Sequence, residues 1–241
     1  MVTGGSRGIG AAVCRLAAAR GYDVVVNYAA DSAAAQDVVG GLTNVRAVAV
    51  GGDVSDADDV ARLFGTAASL GPLVGLVNNA GITGNTPGRL DEHDPEVVRR
   101  VLDVNVTGVF LCAREAVRRM STRYGGQGGA IVNVSSTAAH RGSPGEWVPY
   151  AASKAAVETM TLGLAKEVAA EGIRVNAVAP GLVHTDLHAA AGMPDRPDRI
   201  APMIPMGRAG QPNEIAEGIV WLLSPAASFV TGAVLPISGG F

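Results

Sequence analysis

The sequence has few cysteines, few charged residues and no long hydrophobic run, and each shortage excludes a class of protein. Only 2 of the 241 residues are cysteines, with no spacing typical of metal ligands or of a disulfide framework. Charged residues make up 17% of the chain and the formal net charge is −3, which argues against non-specific nucleic-acid binding. No segment approaches the ~18 apolar residues of a transmembrane helix. We therefore expect no metal, nucleic-acid or membrane partner.

The overall composition is that of a globular protein. Hydrophobic residues make up 48% of the chain, which excludes disorder, and the length suits one domain, residues 1–241, with a large core. Cys14 and Cys112 each lie in an apolar helical pattern and are predicted to be buried. The first residues carry a glycine loop and arginines and lack the apolar core of a signal peptide. We expect a cytoplasmic protein.

Apolar β-rich runs alternate with alanine-rich helical runs, which is typical of a parallel sheet with helices on both faces. The predicted strands are Val2–Thr3, Tyr22–Tyr28, Val45–Val50, Leu73–Asn78, Ala130–Val134, Arg174–Ala179 and Ala233–Pro236. The predicted helices are Gly8–Arg20, Ser32–Leu42, Asp56–Leu70, Pro95–Tyr124, Pro149–Gly172 and Pro212–Leu223. The fourth helix contains Gly108 and is expected to kink near Asn105. The pattern predicts a single-domain α/β Rossmann fold with a seven-stranded parallel sheet.

Tyr150 and Lys154 are four residues apart in a predicted helix, so they share one face. A free tyrosine has a pKa near ~10 and is a poor acid or base at neutral pH. A lysine cation beside it favours the phenolate and is expected to lower that pKa. The same spacing occurs by chance on many half-exposed helix faces. The proton-transfer interpretation therefore depends on the motifs that accompany the pair.

Gly4, Gly8 and Gly10 form a Gly-x-x-x-Gly-x-Gly pattern before the first predicted helix. Glycine permits a tight turn, and the free N–H groups at the start of a helix bind phosphate. A glycine-rich turn without a ligand has the same composition, so the pattern needs a βαβ context. Only Val2 and Thr3 lie between Met1 and this loop, whereas strands usually run about 5–6 residues. We therefore expect further apolar residues upstream of Met1.

The second predicted strand ends in Val26-Asn27-Tyr28, without the carboxylate that NAD-specific folds place there to bind the ribose hydroxyls. The next carboxylate along the chain is Asp31. Arg7 lies inside the glycine loop and is a cation able to meet an additional phosphate. These two features favour NADP(H) over NAD(H).

Together these motifs resemble, over essentially the whole chain, the short-chain dehydrogenase/reductase family in its 3-oxoacyl-acyl-carrier-protein reductase and glucose dehydrogenase-like branch. The resemblance implies catalytic roles for Asn105, Ser136, Tyr150 and Lys154. It implies cofactor binding by Gly4, Ser6, Arg7, Gly8, Ile9, Gly10, Asn27, Tyr28, Asp53, Val54, Asn79, Ala80, Gly81, Tyr150, Lys154, Pro180, Gly181, Val183 and Thr185. The loop between Ser136 and Tyr150 is one residue longer than in many members, which leaves Ser135 as an alternative catalytic serine.

The resemblance implies that Tyr150 exchanges a proton with a substrate whose oxygen Ser136 binds. Lys154 would lower the pKa of Tyr150 and hold the nicotinamide ribose, and Asn105 would position a water that links Lys154 to solvent. The cofactor would carry the hydride. Family members commonly form tetramers through their long helices, so we expect a homotetramer.

The segment 184–211 is rich in proline and is predicted to be a substrate lid, an irregular loop with one short helix. The implied activity is the interconversion of a ketone or aldehyde and an alcohol. Alternatives are a sugar or polyol dehydrogenase and a nucleotide-binding redox sensor without catalysis. Reduction of 3-oxoacyl groups on an acidic carrier is disfavoured by Glu171, although Arg118, Arg119 and Arg123 could compensate. The sequence leaves the substrate open.

Overall fold

The computed structural model describes residues 1–84 and 87–241, and its centre is a parallel β-sheet. The strands are Val24–Tyr28 (β1), Ala47–Gly51 (β2), Gly75–Asn78 (β3), Gly129–Val134 (β4), Ile173–Pro180 (β5) and Val234–Ile237 (β6). Strand β1 pairs with β2, and the other four pair in the order β3-β4-β5-β6. Each of these strands lies within two residues of a predicted one, because each is an apolar run followed by a turn.

The first predicted strand, Val2–Thr3, is a single bridging residue, so the described residues hold six strands and one bridge at the seventh position of the predicted sheet. Val2 forms parallel bridges to Val26 and to Val77. Its N–H donates to the Val25 carbonyl at 2.9 Å. Gly4 has φ of +59° and turns the chain out of the sheet directly after Thr3. Val2 therefore joins β1 to β3, and the sheet reads β2-β1-Val2-β3-β4-β5-β6.

Helices cover both faces of this sheet, as predicted. They are Gly8–Ala19 (α1), Ser32–Gly40 (α2), Ala57–Ser69 (α3), Pro95–Leu102 (α4), Gly108–Met120 (α5), Ala138–Arg141 (α6), Val148–Val168 (α7), Asp186–Ala190 (α8), Arg196–Ile200 (α9) and Pro212–Leu223 (α10). Aspartates cap three of them, since Asp31, Asp56 and Asp94 accept backbone N–H groups at the starts of α2, α3 and α4. These caps fix where the loops leave the sheet edge and the helices begin.

The predicted kink near Asn105 is a π-helical turn, Asp103–Thr107, between α4 and α5. Gly108 follows this turn and packs against Val54, which a Cβ at this position would approach to 2.8 Å. Turns of this kind are rare in helices and frequently occur at functional sites. The interruption changes the direction in which Asn105 projects and places its side chain beside the segment that leaves β3.

Two hydrophobic cores fill the space between the sheet and its helices. One contains residues of α1, α10 and the sheet and includes Cys14, and the other contains residues of α3, α5 and α7 and includes Cys112. Both cysteines are buried free thiols, as predicted. Burial raises the pKa of each thiol to about 12.

The segment 184–211 has more helix than predicted. It contains two short α-helices, α8 and α9, and a 3₁₀ turn at Ala201–Met203. Elements this short leave no clear period in the sequence, so only their proline-rich composition was visible.

Within the described residues, no helix is both long and apolar enough to cross a membrane.

Candidate active site

One cavity of about 810 Å³ opens at the carboxyl ends of the strands, where ligands bind in open α/β sheets. Its lining includes Ser136, Tyr150 and Lys154 together with every predicted cofactor residue except Gly10. Gly10 and Asn105 are buried behind the lining. The fold therefore gathers residues from across the chain around a single space.

The glycine loop presents free backbone donors to this cavity. Gly8 has φ of +53°, and α1 begins there without a side-chain cap from Arg7. The N–H groups of the first helical turn consequently keep their capacity to bind an anion. Gly10 does not line the cavity, because it packs against the Gly4 carbonyl oxygen and the Asn79 amide with no room for a Cβ. Its role is to close the loop onto the sheet.

Two asparagines hold this loop in place. The Asn27 side chain is buried, accepts the Gly4 N–H at 3.2 Å and donates to the Gly52 carbonyl at 2.9 Å. Asn79 donates to the carbonyls of Thr3 and Gly4 at 3.0 and 2.9 Å. The Asn27 amide is thus occupied within the protein, although the residue borders the cavity. Its backbone is paired as well, since its N–H donates to the Val2 carbonyl at 3.0 Å and its carbonyl accepts the Gly5 N–H at 2.7 Å, so the residue shapes the cavity wall.

Two ion pairs lie at the end of the cavity that the glycine loop borders. Arg7 contacts Asp31 at 2.7 Å, with both side chains about half exposed. Arg100 contacts Asp53 at 2.6 Å. Burial raises the pKa of Asp53, but hydrogen bonds from Ser55 and then from Arg100 outweigh it and hold that pKa below its usual range. Neither ion pair was predicted, because nothing in the local sequence links residues so far apart.

The structure separates the two candidate serines at the end of β4. Ser136 lines the cavity, and its hydroxyl accepts the Ala138 N–H at 3.1 Å. Ser135 is buried and donates to the Glu158 carboxylate at 2.7 Å, which ties β4 to α7. Only Ser136 is positioned beside Tyr150 and retains a hydroxyl hydrogen for a ligand.

Tyr150 and Lys154 lie on the first two turns of α7, with the Lys154 Nζ 5.5 Å from the centre of the Tyr150 ring. Burial raises the pKa of Tyr150, and the Ser136 hydroxyl opposes that rise. The expected lowering by Lys154 is therefore absent from this structure. Desolvation lowers the pKa of Lys154 itself to about 8, while its ammonium donates to the Val134 carbonyl at 2.8 Å. The two groups are adjacent, but the pKa of each is shifted in the direction that disfavours its charged form.

Asn105 lies behind the cavity lining and forms hydrogen bonds to residues on both sides of the site. Its Oδ1 accepts the Ile82 N–H at 2.8 Å, and its Nδ2 donates to the Ile82 carbonyl and to the Ser153 hydroxyl at 2.8 and 3.0 Å. A Cβ at Gly81 would lie 3.3 Å from the Asn105 oxygen and 3.2 Å from the Lys154 nitrogen. Asn105 therefore lies close to Lys154 with its amide fully used. The structure gives it a positioning contact.

Known proteins resemble this chain along its full length. The family model described as "Enoyl-(Acyl carrier protein) reductase" matches residues 4–241. The uncharacterized oxidoreductase YgfF of Escherichia coli is 52% identical over all of this chain and 98% of its own length. A short-chain dehydrogenase/reductase of Serratia marcescens is 36% identical, with a TM-score of 0.90 over all of this chain and 96% of its own.

This chain belongs to the short-chain dehydrogenase/reductase family. The 3-oxoacyl-[acyl-carrier-protein] reductase of Synechocystis, 41% identical over all of this chain and 95% of its own, places it near that branch of the family. The sequence-based prediction of the family and of the Rossmann fold is confirmed. As a member, the chain is an oxidoreductase that uses a nicotinamide cofactor, and the uncapped start of α1 fits a nucleotide phosphate.

Proposed function

We propose that this protein reduces a ketone or aldehyde to an alcohol with NADPH, and catalyses the reverse reaction with NADP⁺. The observation that carries the proposal is the convergence of Ser136, Tyr150 and Lys154 on one cavity with the glycine loop. When bound, the nicotinamide nucleotide supplies or accepts the hydride. The side chains of this chain then have two tasks, which are to hold the substrate oxygen and to exchange its proton.

Ser136 would donate a hydrogen bond to the substrate oxygen, and Tyr150 would deliver the proton in reduction or remove it in oxidation. Burial keeps the phenol of Tyr150 protonated, as a proton donor must be, but the raised pKa by itself makes it a weaker acid. For the base role, the phenolate needs an added positive charge nearby, which a protonated Lys154 and an oxidised nicotinamide ring would provide. Asn105 would keep Ile82 and Ser153 in position behind Lys154.

The preference for NADP(H) is supported by Arg7, whose guanidinium borders the cavity on the glycine loop. The buried amide of Asn27 replaces the carboxylate that would bind ribose hydroxyls. Asp31 also borders the cavity and pairs with Arg7, so its carboxylate competes with a phosphate for the same cation. The exposed pair is weakly held in water, and a phosphate dianion would replace the carboxylate.

The substrate is proposed as a small molecule from the range that the relatives cover. A cis-4-hydroxycyclohexanecarboxylate dehydrogenase of Sinomonas cyclohexanicum is 45% identical over all of this chain and 95% of its own. The name of the Sinomonas relative describes a ring alcohol. The name of the Synechocystis relative describes a 3-oxoacyl group. The segment 184–211, proposed as the lid, borders the cavity through Leu187, Ile200 and Met203 and gives it an apolar wall.

A panel assay tests the proposal. Purified protein is given NADPH or NADH with ketones, aldehydes and acyl thioesters, and the alcohol direction is tested with sugars and polyols. Tyr150→Phe should reduce kcat by at least about 100-fold, in the range expected for loss of a general acid, while the Kd for NADPH stays within a factor of about three. Tyr124→Phe is the control, since Tyr124 is exposed on the surface and does not line the cavity.

Unchanged turnover in Tyr150→Phe would refute the proposed mechanism. Tight binding of NADPH without turnover of any compound would instead favour the redox sensor. Oxidation of sugars or polyols with the oxidised cofactor, in preference to reduction of simple ketones, would shift the assignment to the sugar and polyol dehydrogenases.

We also infer assembly into a homotetramer. The long helical segments carry exposed apolar side chains, including Leu102, Phe110 and Leu162, at 40%, 51% and 45% exposure. Sedimentation velocity measures the assembly directly, and a monomer at micromolar concentration would contradict the inference.

A further inference from the structure

Among the described residues, Arg141 is the one arginine of the cavity lining that has no acidic partner. Four arginines line the cavity, and the other three form ion pairs, which are Arg7 with Asp31, Arg100 with Asp53 and Arg196 with Glu146. The Arg196 side chain is 12% exposed and lies 4.9 Å from the centre of the Trp147 ring, so it is part of the wall. Arg141 is an exposed residue, so a ligand can reach its guanidinium.

The ring of Phe241 orients this guanidinium. The Arg141 Cζ lies 3.6 Å from the centre of the ring, a distance at which a cation and an aromatic face attract each other. Phe241 also lines the cavity and packs against the cluster of Leu182, Ile204 and Ala209, which holds the ring. Stacking covers a face of the planar guanidinium and leaves its N–H groups, which point outward in the plane, able to donate. The cation is therefore oriented without being neutralised.

A continuous helical stretch joins Arg141 to Ser136, the residue proposed to bind the substrate oxygen. The Ala139 N–H donates to the Ser136 carbonyl at 3.0 Å. The Arg141 N–H donates to the Thr137 carbonyl at 3.2 Å. Five residues of α-helix advance about 7.5 Å. A molecule with one oxygen at Ser136 and an anionic group at Arg141 would therefore place several bonds between the two groups.

Contacts to neighbouring elements fix this stretch in the fold. The His140 Nε2 lies 3.0 Å from the Glu158 carboxylate, and Glu158 is buried on α7. The Thr137 N–H donates to the carbonyl of Pro180, at the end of β5, at 2.9 Å. The backbone position of Arg141 relative to Ser136 is thus set by α6 and its neighbours, and not by the segment 184–211.

The remaining carboxylate of the lining, Asp186, lies at a different place. Among the described residues it has no ion pair, although it borders the cavity. Asp186 follows Thr185, whose Cγ2 would be 3.3 Å from a Cβ at Gly8. It therefore lies beside the glycine loop, where the cofactor is proposed to bind, and leaves the charge of Arg141 unmatched.

An unmatched guanidinium defines the chemistry of its ligand. A carboxylate accepts two parallel N–H bonds in the plane of a guanidinium, which is the direction that stacking on Phe241 leaves open. An ammonium group would be repelled, and an alkyl group would gain nothing from the charge. The proposed site for the cofactor phosphates is the glycine loop, so the anionic group at Arg141 is assigned to the substrate.

We infer that the substrate is an oxo acid, a ketone or aldehyde with a carboxylate several bonds from its carbonyl, and that Arg141 binds this carboxylate. The inference rests on the proposed carbonyl reduction and narrows its substrate class. Arg141 would set the specificity through charge, while Ser136 and Tyr150 act on the carbonyl.

The test is the reduction by NADPH of 4-oxopentanoate, 5-oxohexanoate and 6-oxoheptanoate, each compared with its primary amide. Acid and amide are close in shape, so the ratio of their kcat/KM values measures the charged contact. We expect a ratio of at least about ten at the chain length that spans both groups, in the range of a hydrogen bond between charged partners. A ratio near one at all three lengths would overturn the inference while leaving the proposed function intact.

Substitutions of Arg141 assign the preference to its guanidinium. Arg141→Gln removes the charge and should bring the ratio of acid to amide to within a factor of about two of one. Arg141→Lys keeps a charge without the planar fork and should retain part of the preference. The matched control is Arg123→Gln, because Arg123 is also exposed and lies 5.7 Å from the centre of an aromatic ring, that of Tyr124, but does not line the cavity.

The control variant should keep the ratio of the wild type. A preference for the acid that persists in Arg141→Gln would refute the assignment to this residue. A Kd for NADPH that rises more than about tenfold in Arg141→Gln would show that the cation serves the cofactor, and would equally overturn the inference.

Failure of the proposed function has a different signature, namely no turnover of any acid or amide. Isothermal titration calorimetry then tests the contact without catalysis, with each acid and each amide added to the protein saturated with NADP⁺. At one chain length the acid should bind at least about tenfold more tightly than its amide, and this difference should disappear in Arg141→Gln. Equal binding of acids and amides by the wild type would again refute the carboxylate contact.

Discussion

At the scale of single residues, Lys154 is an ammonium in a site that solvates it poorly. Its residue is 4% exposed, and within the described residues its Nζ has one hydrogen-bond partner, the Val134 carbonyl. Desolvation lowers its pKa from 10.5 to about 8. The difference corresponds to about 3 kcal/mol by which the folded state disfavours the charged form. The protein therefore holds a destabilising charge where the proposed reaction needs it.

The pH dependence of stability follows from the sign of this shift. Below about pH 8 both the folded and the unfolded chain bind this proton, and the full penalty applies. Between about pH 8 and 10.5 the folded chain releases it first, so this group makes stability rise with pH. Lys154→Met should therefore raise the free energy of unfolding without cofactor by roughly 1–3 kcal/mol at pH 7.

Urea unfolding at several pH values measures this effect. The difference in the free energy of unfolding between wild type and Lys154→Met should become smaller as the pH rises towards 10.5. The control is Lys166→Met, the other lysine of the chain, which is exposed on α7. A gap that stays constant with pH would show that the ammonium is not the cause.

At the same scale, the proposed preference for NADP(H) depends on Arg7 and its partner Asp31. Arg7→Ala should lower the ratio of kcat/KM for NADPH over NADH by about tenfold or more, since a charge-assisted contact to the phosphate is lost. Asp31→Ser keeps a helix cap and frees Arg7, and should raise that ratio. Arg15→Ala, an exposed arginine of α1, serves as the control. An unchanged ratio in both cavity variants would refute the assignment to NADP(H).

At the scale of elements, the π-helical turn Asp103–Thr107 joins two parts of the site. It projects Asn105 onto Ile82, which follows β3, and onto Ser153 of α7. One side chain thus connects three segments that are far apart in sequence. The geometry of Lys154 depends on this connection, because Lys154 and Asn105 both lie beside Gly81.

Asn105→Ala should lower the free energy of unfolding by about 2–4 kcal/mol, because it leaves the partly buried N–H and carbonyl of Ile82 without their side-chain partner. The substitution should also reduce kcat, since Asn105 no longer holds the segment beside Lys154 in position. Chemical denaturation and steady-state kinetics measure the two effects. Asn213→Ala, an exposed asparagine on α10, should change stability by less than about 0.5 kcal/mol. A stable but inactive Asn105→Ala would argue for direct catalysis instead of positioning.

Elements with a strong local signal were predictable from the sequence, and those defined by distant contacts were not. The strands and long helices follow from apolar runs, and Gly108 with Asn105 indicated the interruption. The short helices α6, α8 and α9 had too few residues to show a period. At the site, the motifs predicted Tyr150 and Ser136, and both line the cavity. Glu146, Trp147 and Arg196 escaped notice, because their ion pair and stacking form only when segment 184–211 folds back.

At the scale of the whole molecule, the two thiols lie in the cores on opposite faces of the sheet, so their reactivity shows whether each core opens. Cys14 lies in one core and Cys112 in the other, and burial raises the pKa of both to about 12. A thiol with this pKa and no exposure should not react until the chain opens.

We expect both thiols to modify at the rate of global unfolding when a disulfide reagent is added at pH 8. Mass spectrometry of each cysteine peptide measures the two rates, and protein unfolded in guanidinium gives the reference in which both react at once. Equal rates would indicate that the two faces open together. Rapid modification of one thiol in the native protein would show that its core opens separately.

The penalty that the buried Lys154 ammonium imposes lowers the stability of the cofactor-free chain, so the lifetime of the protein would depend on its cofactor supply. A ligand that binds only the folded chain stabilises it by about 2.7 kcal/mol at a concentration 100 times its Kd. That is close to the penalty which Lys154 imposes. When the nicotinamide nucleotide is scarce, a larger fraction of the chain is open to proteases, and a change of 1–2 kcal/mol is enough to alter abundance several-fold. The amount of this enzyme in a cell would then follow the cofactor it consumes, without a dedicated regulator.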